Sequence, residues 1–260
     1  MVRSRLALVA IAALCSSFST AINVLLPNSP PTNSQSLSPA LLSLSIEQDR
    51  WPDWTGVLAR NEFTHTALLA LADLTGQPPK IRVGGDSEDL TSWSPTVSLN
   101  EDEFPPPSTI TPYPEATKDT VGDDFYALSR FLPRGTHMTW GVNFAADNAT
   151  NAVNMAKAIV RAFQSTAVKA SGVILDLIEV GNEADVYLFN GLRSSDWTVE
   201  EYVPEWISVA GPVVENVGIH GNNGPVSLQG AAFIGANNFT PSEIFKLGIL
   251  DSTPGKAISV

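Results

Sequence analysis

The residues with most to say about chemistry are 182 and 183. The stretch "ILDLIEVGNEADVY" (174–187) is an apolar run that breaks off at Gly181 and then presents an amide, Asn182, beside a carboxyl, Glu183. A carboxyl at an apolar mouth is desolvated, which raises its pKa and suits it to hold and give a proton. The neighbouring amide could donate to a hydroxyl of the reacting molecule. Cleavage of a glycosidic bond uses one protonated carboxyl of this kind together with a second, ionised one.

Other polar residues sit at the ends of predicted strands: Glu47, Asp86 with Ser87, Asn143 and, more weakly, Gln229. An oxygen-rich rim suits either a hard metal ion or a sugar. The histidines His65, His137 and His220 fall on a helix, a strand start and a loop, and none pairs with another at ligand spacing. Metal catalysis is therefore disfavoured and no cofactor is expected. No G-x-S-x-G elbow is present, and the single cysteine, Cys15, lies too near the N-terminus to serve a mature chain.

The elements that must position these residues alternate. Apolar runs at "ALLSLSIE", "KIRVGG", "THMTWGVNF", "GVILDLIEV" and "PVSLQGAAF" read as strands, and "KAISV" as a strand just begun. Between them lie helical patterns. The first, "NEFTHTALLALADLTG", has Asn61 as its cap and Gly76 as its stop; the second is "GDDFYALSRFLPRG". In "DNATNAVNMAKAIVRAF" the residues Val153, Ala156, Ile159, Val160 and Phe163 share a face. Two helices open on capping boxes, Thr198 to Glu201 and Thr240 to Glu243. Residues 87–121, rich in proline and acid, read as a long excursion.

Strands read as apolar on both faces and alternating with helices imply a helix-covered parallel sheet, either a (β/α)8 barrel or an open doubly wound sheet. Gly84-Gly85 is followed by acids rather than by a nucleotide fingerprint, which favours the barrel. The expected α/β fold is thus an incomplete TIM barrel of about five βα units and the start of a sixth strand. Since closure takes about eight strands, the chain reads as a fragment. By strand alternation Glu179 shares a side with Glu183, one layer deeper, and Arg82 is the cation placed to pair with it.

The N-terminus carries Arg3 and Arg5, an apolar run Leu6–Leu14 and small residues at Ser19 and Ala21, the pattern of a secretory signal peptide over 1–21. Residues 22–38 read as a short strand, Ile22–Leu26, and a Pro/Ser/Asn-rich linker, and 39–260 as the partial catalytic barrel. Secreted, extracellular localisation agrees with the sequons at Asn148 and Asn238. The net charge of −12 becomes −14 once Arg3 and Arg5 leave with the signal, which disfavours nucleic acid and anionic membranes as partners.

The string "IEVGNEADVY" resembles the Asn-Glu signature ending the fourth strand of the retaining (β/α)8 glycosidases. "SLSIE", "IRVGGDSEDLTSW" and "KAISV" look like the corresponding segments of glycoside hydrolase family 79, the secreted β-glucuronidases and heparanases. The resemblance covers roughly residues 22–260. It implies that Glu183 is the general acid/base, that Asn182 contacts the sugar, and that Glu47 and the turn Gly85-Asp86-Ser87 touch the glycon. It implies a nucleophilic Glu on the seventh strand, to which no residue here corresponds, and a C-terminal β-sandwich sharing the strand Ile22–Leu26. Among aromatics, Tyr187 is the best candidate to stack on a sugar. The implied partner is an oligo- or polysaccharide bearing uronic acid. Two alternatives stay open: a glycosidase of the same superfamily acting on neutral sugars such as arabinose, xylose or glucose, and a non-catalytic truncated chain that binds glycans.

Overall fold

The computed structural model describes residues 29, 31–219 and 226–259. The expected signal peptide, the strand expected at Ile22–Leu26 and His220 lie outside the described residues. The described residues up to 37 belong to one unit and those from 38 onward to a second. In the first, a turn is closed by the Ser34 N–H donating to the Pro31 carbonyl at 2.9 Å. The described helices and strands all belong to the second.

Its strands are β1 (Ser43–Glu47), β2 (Lys80–Gly84), β3 (Thr91–Trp93), β4 (Asn100–Glu103), β5 (Lys118–Val121), β6 (His137–Val142), β7 (Ile174–Val180) and β8 (Ser227–Gln229). Strands β1, β2, β6, β7 and β8 make one five-stranded sheet in that order, every pair parallel. A doubly wound sheet reverses its order at a switch point. Here each new strand is added on the same side, an order compatible with a partial barrel. The chain then returns beside β8 through a single parallel bridge, Leu228 to Ile258.

Helices fill the crossovers: α1 (Trp51–Thr55) and α2 (Glu62–Thr75) after β1, α3 (Asp123–Ala127) before β6, α4 (Ala149–Gln164) and α5 (Thr166–Ser171) after it, α6 (Tyr187–Asn190) and α7 (Val199–Val217) after β7, and α8 (Pro241–Lys246) after β8. The expected caps are present. Asn61 Oδ1 accepts from the Phe63 and Thr64 amides, and Gly76 closes α2 in the left-handed region. Thr198 and Glu201 form the reciprocal box of α7. At α8 the box is half made: Thr240 accepts from the Glu243 amide, but the Glu243 carboxylate goes to Lys246.

The expectation of strands apolar on both faces needs correction. Ile46, Ile81, Val83, Met138, Trp140, Val142, Ile178, Val180 and Leu228 enter the hydrophobic core. The alternating residues, Ser45, Arg82, Thr139, Glu179, Ser227 and Gln229, occupy the opposite face, which is polar except for Leu177 in register with Thr139 and Ser227. Short polar side chains between apolar neighbours do not break an apolar average, so the runs looked uniform. The excursion over 87–121 is also more ordered than expected: β3, β5 and β4 pair into a small separate sheet. Behind the main sheet, Trp51, Phe125 and Tyr126 close edge-on around Trp140, with ring centroids 5.0–5.9 Å from it.

Candidate active site

The C-terminal ends of β1, β2 and β7 meet in one cluster of acids and amides. After β2 the chain turns at Gly85, whose φ of 80° favours glycine, and a Cβ there would overlap the Glu47 carboxylate. Glu47 accepts from the Ser87 amide at 3.1 Å and from the Ser87 hydroxyl at 2.7 Å. The same hydroxyl accepts from the Gln48 and Asp49 amides at 2.7 and 3.2 Å. Ser87 is thus fully buried and engaged, and Gly85 is buried beneath Glu47. In this position both residues tie the end of β1 to the turn after β2. Glu47 stays half-buried, and Asp86 is exposed.

At the end of β7, Gly181 takes a φ of 83°, and a Cβ there would come within 2.6 Å of Phe144. Asn182 is buried and bridges three partners: its Oδ1 accepts from Arg82 at 2.9 Å, its Nδ2 donates to Asp86 at 2.9 Å, and its N–H donates to Asp89 at 3.3 Å. Glu183 follows in the left-handed region, φ 46° and ψ 43°, with its N–H donating to the Ala232 carbonyl at 2.7 Å. A non-glycine residue held there carries strain, a feature that concentrates at functional sites. Two residues on, the buried Asp185 carboxylate accepts from the amides of Ile234, Gly235 and Ala236. The loop after β8 is thereby clamped to the turn that presents Glu183.

Beneath the rim lies the ion pair expected from strand alternation. Arg82 Nε donates to Glu179 at 2.9 Å, and its Nη2 also reaches Glu179 and, at 3.3 Å, Glu88. Gln229 donates to the other Glu179 oxygen. Asp89 is a hub: it accepts from the Phe144, Ala145 and Asn182 amides and from the Tyr187 hydroxyl.

These surroundings set the protonation. Burial, followed by the charges of Asp86 and Asp185, pushes the Glu183 carboxyl above the usual carboxylate range, against the opposing pull of Arg82. Burial and then Glu47 and Asp86 do the same for Glu115. Burial raises Asp89 to about 6, although its hydrogen bonds oppose the rise. A cavity of about 210 Å³ opens here, walled by Asp86, Asp89, Glu115, Asn182 and Tyr187 among others.

The remaining candidates fall elsewhere. Tyr187 is 1% exposed, with Phe144 stacked on it at 5.9 Å between ring centroids and Trp197 at 6.5 Å. The ring is packed against these two neighbours, and Tyr187 also lines the 210 Å³ cavity. Asn143 is buried and bonded to Thr91 and Ala146. Asn148 is exposed and caps α4, and Asn238 is exposed in the wall of a separate cavity of about 380 Å³ beside Trp197 and Phe239. His65 contacts Arg60, and His137 contacts Asp176. Among the described residues no group of three or more His, Cys, Asp or Glu is arranged to hold a metal ion, and no helix is long and apolar enough to cross a membrane. Sequence reasoning missed Glu88, Glu115 and Asp185; the acid-rich "DSEDL" after two glycines signalled an unusual turn but not which acid would be buried.

Fold and site together define an α/β protein whose parallel sheet, compatible with part of a (β/α) barrel, delivers an acidic cluster at its strand ends. No family model matches the chain. It is similar to a protein named β-glucuronidase from Aspergillus niger, 31% identical over 171 residues, 64% of this chain and 30% of that protein. A protein of the same name from Neurospora crassa is 25% identical over 173 residues, 65% of this chain and 30% of its own length. The chain thus spans about 30% of the length of these curated relatives. Among solved structures, a 4-O-α-L-rhamnosyl-β-D-glucuronidase from Fusarium oxysporum, crystallised with Rha-GlcA, superposes with a TM-score of 0.64 at 24% identity. That match covers 87% of this chain and 46% of the other, a likeness of fold.

Proposed function

We propose that this chain carries the acid/base half of the active site of a secreted retaining glycoside hydrolase of the β-glucuronidase kind, belonging to glycoside hydrolase family 79. The observation that carries the reading is Glu183: a half-buried carboxyl on a strained strand end, raised by burial and acidic neighbours, beside an amide held by Arg82 and Asp86. The names of the relatives and the fold likeness support it. Glu183 gives its proton to the leaving oxygen and then, ionised, activates the water that releases the sugar. Asn182 orients a sugar hydroxyl; Asp86 and Glu47 supply further acceptors. The nucleophile of this double displacement is not assigned to any residue of the chain.

One observation favours a second reading, a neutral glycon. Glu47, Asp86, Glu115 and Asp185 give the described rim a negative field around Glu183, and Arg82 is already engaged with Glu179, Glu88, Asn182 and Ser45. The test uses the protein expressed from its complete coding sequence, offered aryl β-glucuronide beside aryl xyloside and arabinoside. Glucuronide cleavage with a loss of about 10²–10⁴-fold in Glu183→Gln is expected. Full activity in that variant would sink the acid/base assignment, and preference for the xyloside or arabinoside would select the neutral-sugar reading.

A further inference from the structure

One buried acid has no part in the chemistry above. Glu88, in the turn after β2, is fully buried; its Oε2 accepts from Arg82 at 3.3 Å, and its Oε1 has no hydrogen-bond partner among the described residues. Its carboxyl occupies a slot made by two glycines on adjacent strands. A Cβ on Gly84 of β2 or on Gly141 of β6 would overlap Glu88 Oε2. Glycine weakens a strand interior and there marks a close approach, and what approaches here is the Glu88 carboxyl.

The charges show which state the slot holds. Glu88 and Glu179 are both fully buried, and they share one guanidinium. Glu179 is the better partnered, with two donors from Arg82 and one from Gln229. Burial first, then the Glu179 charge, push the Glu88 carboxyl well up, toward its protonated form. The charged groups facing it are Glu179, Arg82 and Asp89.

We propose that Glu88 is a positioning residue: lodged between Gly84 and Gly141, it fixes Arg82, and through Arg82 the Asn182 amide that neighbours Glu183. This role presupposes the glycosidase reading. The linkage is short, since the Arg82 nitrogen that meets Glu88 also donates to Asn182 at 2.9 Å.

The experiment compares Glu88→Gln, Glu88→Ala and Gly141→Ala in the protein expressed from its complete coding sequence. Gln keeps the shape and neutrality of the protonated acid, so kcat stays within about threefold of wild type and the pH profile is unmoved. Ala at 88 vacates the slot and Ala at 141 overfills it; both lose about 100-fold in kcat with little change in KM, the cost of roughly 1 Å of misplacement. Their basic pH limb moves to higher pH as Arg82 leaves the place where it lowers the Glu183 carboxyl. A loss in Glu88→Gln as large as in Glu88→Ala, or wild-type kcat in both alanine variants, overturns the proposal. If the alanine variants do not fold, Glu88→Gln decides: wild-type kcat and profile support it, a loss near 100-fold overturns it. A wild type inactive on every aryl glycoside removes the glycosidase reading instead. Crystal structures then decide this one: an Asn182 amide displaced in Gly141→Ala supports the role, and an unmoved amide overturns it.

Discussion

Replacing Asp185 by alanine tests how the Glu183 turn is held. The Asp185 carboxylate is fully buried and accepts from Gly235 at 2.9 Å, Ala236 at 2.7 Å and, more weakly, Ile234 at 3.3 Å. Hydrogen bonds to a charged group contribute about 1.5–3 kcal/mol each when nothing replaces them. Ile234 and Gly235 are exposed, so water can take over part of this role. The loss for Asp185→Ala is then on the order of 2–3 kcal/mol, and Asp185→Asn, which keeps one acceptor oxygen, loses about half as much. Two further effects follow. Freed amides at 235 and 236 exchange faster, and the loop carrying Ala232 no longer holds the Glu183 N–H, so kcat falls further in the alanine variant than in asparagine. Separately, both variants remove a charge that raises Glu183, so the basic limb of the pH profile moves to lower pH in each. Amide exchange resolved by residue, with kcat against pH, measures all of this. Unchanged exchange at 235 and 236 in Asp185→Ala would refute the clamp; a basic limb moving upward would refute the electrostatics.

The folded protein should lose stability as pH rises from about 4 to 9. Asp89 and Asp119 titrate at about 6 and about 9 when folded, both above the ordinary carboxyl value near 4, so their contribution is complete below that value and is lost through each folded pKa. Asp89 alone accounts for on the order of 3 kcal/mol. For Asp119 the cause is burial, then Asp102 directly across the β4–β5 pair, so Asp119→Asn should flatten the alkaline half of a Tm-against-pH curve. A Tm that climbs over this range would contradict it. For Tyr187, the phenylalanine variant keeps the stacked ring and loses only the bond to Asp89, whereas Tyr187→Ala opens a core cavity and should cost about 3–5 kcal/mol in denaturant unfolding. An alanine variant of undiminished stability with a raised KM would support the sugar-stacking role.

What was legible in the sequence was what depends on neighbours along the chain. The cap at Asn61 and the stop at Gly76 are local chemistry, and both are present. The Arg82–Glu179 pair was legible because side chains on a strand alternate with period two. Residues whose surroundings come from another strand were not legible. Ser87 looks like an exposed turn serine until Glu47 closes over it, and Tyr187 follows the motif in sequence but points into the packing of Phe144 and Trp197. Glu88 and Asp89 are adjacent in sequence yet serve different partners, Arg82 and the Asn182 amide. Only the register of β2 against β6 shows that Gly84 and Gly141 were needed for one of them.

On the glycosidase reading proposed above, the acidic rim bears on catalysis in two opposing ways. After burial, the charges of Asp86, Asp185 and Glu47 raise the Glu183 carboxyl, the direction a general acid requires. The same charges repel an anionic glycon, and more strongly once Glu115 and Glu183 ionise. A proton donor and an anionic substrate therefore make the same demand on pH: both are served on the acid side, where the raised carboxyls are neutral and the field is weakest. A neutral glycon feels only the first effect. The pH dependence of KM thus separates the two readings of specificity: it rises toward neutral pH for a uronate and stays flat for a pentose.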